Sequence, residues 1–110
     1  MKKVIRPWGN FKEFAKNKKC TVKIIEVRPG QEFSLQYHNK RDEHWYFLDN
    51  GFAVVGNKKF RVKEGDIVDV PKKTKHRVIA GQKRVRFLEI SYGNFDENDI
   101  VRLEDKYGRK

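Results

Sequence analysis

The sequence predicts an all-β fold, a single small barrel over residues 1–110. Three observations carry that prediction. Apolar and polar residues alternate with the period of two that sends successive side chains to opposite faces of a sheet. Turn signals interrupt the alternation every 8–12 residues or so, the spacing of a sandwich or barrel. No segment holds a long helical period, and no apolar run approaches the roughly 20 residues of a membrane-spanning helix.

The elements follow in order. Residues 11–16 fit either a short strand or a single helical turn. Residues 21–27 alternate cleanly and stop at Pro29-Gly30. Residues 33–38 form the next strand, which ends in the polar run Asn39-Lys40-Arg41-Asp42. The aromatic-rich stretch 43–48 closes at Asp49-Asn50-Gly51, a hairpin signal because Asn and Gly accept positive φ. Residues 52–55 and 60–62 flank Gly56-Asn57 as a further hairpin. Glu64-Gly65-Asp66 turns into 67–70, which Pro71 ends because it lacks the N–H a ladder needs. Residues 76–79 and 85–92 supply two more strands around Gly81. Residues 96–105, with Asp and Glu early and Arg102 late, predict a short helical turn.

At 110 residues and 13.1 kDa the chain has length for one core. Its 37% hydrophobic and 13% aromatic content excludes a largely disordered chain. Cys20 has no intrachain partner, which fits a reducing compartment. Residues 1–7 carry charge without the apolar stretch of a secretory leader, so the expected location is cytoplasmic. Lys and Arg number 26 against 15 Asp and Glu, a net charge of +11 that attracts anions, including nucleic acid, acidic membrane and phosphorylated metabolites. The lysines are spread along the chain, and no helix-turn-helix, zinc-finger or RNA-recognition pattern accompanies them. Nucleic acid is therefore not the expected partner.

The chemistry is concentrated in one frame. Gly30 is followed after five residues by Gln36, after one more by His38, after four more by Glu43, and then by Gly51. Gln36 and His38, two apart on a strand, share a face, and Glu43 opens the neighbouring strand within reach of the same point. Later, Gly65 and Pro71 bracket a strand, and His76 begins the next. Imidazole, amide and carboxylate donors suit one divalent metal ion such as zinc, manganese, iron, cobalt or nickel, with positions left open to water or substrate. Alternation puts Glu43, Trp45 and Phe47 on one face and His44 and Tyr46 on the other; if Glu43 points inward, His44 points outward, toward a sheet face or a partner subunit.

This frame resembles the two-part motif of cupins, which implies a double-stranded β-helix. The resemblance is closer to one family. Arg6-Pro7-Trp8-Gly9, Val27-Arg28-Pro29-Gly30, Ser34-Leu35-Gln36-Tyr37-His38 and Arg41-Asp42-Glu43-His44-Trp45 are similar to the cupin domain of type II phosphomannose isomerases, as is the ending over residues 98–109. Many members carry this domain behind a mannose-1-phosphate guanylyltransferase; that nucleotidyltransferase part is absent from this sequence, so nucleotide transfer is not expected of it. The family usually has a second histidine where this chain has Lys40, and a glycine near Lys73.

The resemblance implies interconversion of mannose 6-phosphate and fructose 6-phosphate, by proton transfer between C1 and C2 through a cis-enediol. A homodimer is expected on the same ground. Gln36, His38, Glu43 and His76 are the expected metal ligands. Lys40, Arg41 and Arg102 are the candidates for the substrate phosphate, since guanidinium forks and ammonium groups match its oxygens. Glu89, on a late strand, is the candidate base if burial raises its pKa. Two other functions stay open on the same barrel: a ketoisomerase or epimerase for nucleotide-linked sugars, and a non-catalytic cupin that binds metal or sugar phosphate.

Overall fold

The computed structural model describes residues 1–109. It contains eleven strands and no helix among those residues: β1 (Lys2–Arg6), β2 (Gly9–Glu13), β3 (Cys20–Val27), β4 (Leu35–Tyr37), β5 (Glu43–Phe47), β6 (Gly51–Val55), β7 (Lys58–Val62), β8 (Ile67–Val70), β9 (His76–Ile79), β10 (Val85–Tyr92) and β11 (Val101–Glu104). The strands from β3 to β10 coincide with the eight read from alternation. Residues 11–16 resolve as strand through Glu13, because β2 pairs with β1 from Arg6↔Gly9 to Lys2↔Glu13.

One expectation is corrected. The stretch 96–105 forms no helix: the Asp99 N–H closes a single turn on the Asp96 carbonyl at 3.1 Å, and residues 101–104 form β11. The acidic start of that stretch does other work, since Asp99 accepts the backbone N–H groups of Asn39 and Lys40 at 2.9 Å each. Val101 and Arg102 then pair with Tyr37 and Gln36 of β4. Tertiary pairing overrides a charge pattern of a few tenths of a kcal/mol.

Two antiparallel sheets face each other. One has the order β3-β10-β5-β8, the other β11-β4-β9-β6-β7, and the β1–β2 hairpin stands apart as a two-stranded sheet. The inner face of the first sheet follows from alternation along β5 and β10, where Glu43, Trp45, Phe47, Val85, Phe87, Glu89 and Ser91 are all buried. The core packs Val27, Trp45, Phe47, Val62, Val68, Val70, Val78, Val85 and Phe87. Trp45, Phe47 and Phe87 meet at ring-centroid distances of 5.2 to 6.2 Å, the tilted and edge-on geometry that aromatic quadrupoles favour.

The register divides the interior along the strands. At one end Phe47, Val85 and Phe87 make an apolar plug. At the other, Glu43 lies opposite Ser91 and Val70, and Gln36 lies opposite both His76 and Arg102. Directly opposed residues point to the same face, so Gln36, His76 and Arg102 are aimed into the same polar end.

Candidate metal centre

His38, Glu43 and His76 converge at that polar end. One donor atom from each lies within 4.8 Å of the others, and all three residues are buried. His38 follows β4, Glu43 opens β5 and His76 opens β9, so the three donors come from both sheets.

Each imidazole is oriented by a backbone carbonyl. Nδ1 of His38 is 2.7 Å from the carbonyl oxygen of Asp99, and Nδ1 of His76 is 3.0 Å from that of Thr74. A carbonyl only accepts, so Nδ1 carries the proton in both rings and Nε2 keeps its lone pair. The two Nε2 atoms face the carboxylate of Glu43, 3.5 Å from Oε2 for His38 and 3.8 Å from Oε1 for His76. Burial pulls both imidazoles below the ordinary histidine pKa, which favours the neutral, ligating form. A backbone partner on Nδ1 that leaves Nε2 unprotonated is the support that metal-binding histidines have. The donor set therefore fits a divalent ion.

Glu43 is itself held. Arg41 Nε donates to Oε2 at 3.1 Å, Trp45 Nε1 to Oε1 at 3.3 Å, and Ser91 Oγ to Oε2 at 3.4 Å. Arg41 is 8% exposed, and its other nitrogens reach the Asp96 carbonyl at 3.0 Å and His38 Nε2 at 3.2 Å. Its guanidinium also covers the ring of Phe95 at 4.5 Å.

The remaining sequence-predicted residues fall into place unequally. Gln36 is aimed into the centre, and its Oε1 accepts from Ser34 Oγ at 2.5 Å. Glu89 is buried beside Glu43, and burial, with the Glu43 carboxylate second, pushes its pKa up to about 7. Arg102 is half-buried, and its Nε is buried with no hydrogen-bond partner among the described residues. Lys40 stands apart from the other candidates, with an exposed side chain and only its backbone N–H tied to Asp99. His44 lies on the outer face, as alternation requires, and pairs with Asp69.

Several participants were missed by sequence reasoning. Ser34 and Ser91 sit two residues from Gln36 and Glu89, so strict alternation would have placed them inside. The carbonyls of Thr74, Asp96 and Asp99 left no signal, because any residue supplies a carbonyl. A cleft of about 890 Å³ lies at the opposite end of the strands, between residues 48–52, 61–64 and 81–84, and holds none of these side chains.

Comparison with known proteins fits this geometry. Residues 1–105 match the family described as mannose-6-phosphate isomerase C-terminal. The chain is 34% identical over 111 residues to a mannose-1-phosphate guanylyltransferase of Klebsiella pneumoniae, covering 98% of this chain and 24% of that one. It is 36% identical over 109 residues to the alginate biosynthesis protein AlgA of Pseudomonas aeruginosa, covering 96% and 23%. The chain thus spans about a quarter of the length of these relatives. Among solved structures, a protein with a double-stranded β-helix domain from Klebsiella pneumoniae superimposes with a TM-score of 0.68 at 21% identity, over 84% of this chain and 80% of that one, a likeness of fold. With a double-stranded β-helix and a family match over nearly its full length, the chain belongs to the cupin family of mannose-6-phosphate isomerase C-terminal domains.

Proposed function

We propose that this chain is a metal-dependent aldose–ketose isomerase that interconverts mannose 6-phosphate and fructose 6-phosphate. The observation that carries the reading is the convergence of His38, Glu43 and His76 on one buried point, with Glu89 beside it. His38, Glu43 and His76 would hold the ion, and Gln36 would add a fourth, weaker donor from the same face. When bound, a divalent ion supplies Lewis acidity for the substrate oxygens on C1 and C2.

The other roles belong to the chain itself. Glu89, with its pKa near 7, can take the C2 proton of the aldose as carboxylate and return it to C1 as carboxylic acid, so that the group ends each turnover as it began. Trp45 and Ser91 fix the carboxylate of Glu43 by donating to opposite oxygens. Arg102, with a buried Nε that has no partner among the described residues, and Arg41, buried beside Glu43, are the phosphate candidates, and the exposed Lys40 would add charge at the mouth. The exposed Val22 and Ile24, neighbours on the outer face of the edge strand β3, support pairing of two copies through that sheet.

The test is a coupled assay for fructose 6-phosphate formed from mannose 6-phosphate, on chelator-treated protein with each divalent metal restored in turn. Turnover that appears with metal and disappears with chelator is the expected result. A folded, metal-loaded sample without turnover would overturn the isomerase reading and leave a binding cupin.

A further inference from the structure

Arg41 holds two of the donor atoms that a metal ion would need. Its Nη2 is 3.2 Å from His38 Nε2, whose lone pair must accept that N–H because Nδ1 is committed to the Asp99 carbonyl. Its Nε is 3.1 Å from Glu43 Oε2. A lone pair that receives a hydrogen bond from a guanidinium is not open to an ion, and arginine cannot lose its charge to make room. The inward pose of Arg41 and occupation of the metal centre are therefore mutually exclusive at His38. Two cations so close in a buried site would also repel.

Arg41 has somewhere to go. Its remaining contacts, the Asp96 carbonyl at 3.0 Å and the ring of Phe95 at 4.5 Å, belong to the segment between β10 and β11 and not to the metal ligands. Phe95 also carries the ammonium of Lys23 at 4.0 Å. A guanidinium that kept the Phe95 contact and gave up Glu43 and His38 would present at least two free N–H groups beside the centre. Such an arrangement is suited to a phosphate, which arginine binds as a fork. In the inward pose those same N–H groups are spent on Glu43 and His38.

We propose that Arg41 is a resident cation of the metal centre, expelled when metal binds and thereby freed to bind the phosphate of the substrate, so that metal and phosphate bind with positive coupling. This rests on the metal-centre reading given above. Coupling of this kind is reciprocal, and typical allosteric couplings change affinity by roughly 5- to 150-fold.

The experiment is calorimetric titration of the full chain with Mn²⁺ and with inorganic phosphate, each alone and each in the presence of the other, for wild type and Arg41→Met. The wild type is expected to bind phosphate about 10-fold more tightly, or better, once loaded with Mn²⁺. Arg41→Met is expected to bind Mn²⁺ about 10-fold more tightly than wild type, since the competing cation is gone, and to lose most of the phosphate coupling. Weaker or unchanged Mn²⁺ affinity in Arg41→Met would overturn the proposal, as would coupling of equal size in both proteins. The wild-type measurement stands without the variant: absent coupling there also overturns it. If neither protein bound Mn²⁺ or any other divalent ion tried, the metal-centre reading itself would fall, an outcome distinct from metal binding without coupling.

Discussion

The backbone N–H of Lys73 donates to the carbonyl oxygen of His38 at 2.6 Å, and Lys73 adopts a left-handed conformation with φ of 65° to do so. The loop before β9 is thus pinned to the residue after β4, and the pin sets where His76 enters relative to His38. A lysine in this region of the backbone carries a cost of roughly 1–2 kcal/mol that glycine does not, partly offset by the extra freedom glycine has when unfolded. Lys73→Gly is accordingly expected to stabilise the protein by about 0.5–1 kcal/mol in urea unfolding, with metal affinity unchanged. Loss of stability would mean that the lysine side chain contributes something the backbone geometry does not reveal.

Removing one imidazole should disable the centre while sparing the fold. His38→Gln keeps the side chain polar and similar in length, and is expected to lower Zn²⁺ affinity by at least about 100-fold, more than the loss of an outer partner would. His76→Ala should do the same and in addition lower stability by about 2–3 kcal/mol, because His76 is 1% exposed and packs against Trp45 at 5.5 Å. Calorimetry and urea melts separate the two effects. Wild-type Zn²⁺ affinity in either variant would remove that histidine from the ligand set.

Glu89 makes stability depend on pH. Its folded pKa, about 7, lies above the value of 4.5 that it has when exposed, so in the metal-free protein its contribution is fully present below pH 4.5 and is lost as pH rises through 7. Glu89→Gln removes this dependence. Near pH 4 the variant should match wild type, and at pH 8.5 it should be more stable by on the order of 2 kcal/mol. Urea midpoints measured at the two pH values test this; a difference that is the same at both would show that Glu89 is not titrating in that range.

The apolar end of the barrel offers a control remote from the chemistry. A β-carbon on Gly51 would stand 2.5 Å from Cγ2 of Val85, which is fully buried on the neighbouring sheet. Gly51→Ala is expected to cost about 1–3 kcal/mol through overpacking, and Val85→Ala in the same molecule to recover part of it. Metal affinity should stay at the wild-type value in both. A neutral Gly51→Ala would mean that the two sheets separate easily at this end.

Sequence alone determined the strands from β3 to β10, the inward facing of Glu43, Trp45 and Phe47, and the pairing of His38 with Glu43 and His76 as one constellation. The strands and their facing rest on a period of two and on turn residues whose meaning is local, so a linear string carries them, while the constellation rests on the resemblance of its spacing to the cupin motif. The tertiary structure decided the rest. It turned residues 101–104 into a strand by offering β4 as partner, fixed the tautomers of both histidines through carbonyls that leave no mark on residue identity, and brought Glu89 beside Glu43 from 46 positions away. It also drew Arg41 inward. Spacing placed that residue next to Glu43, but hydrogen-bond geometry and burial made it a competitor for the very atoms that the metal centre requires.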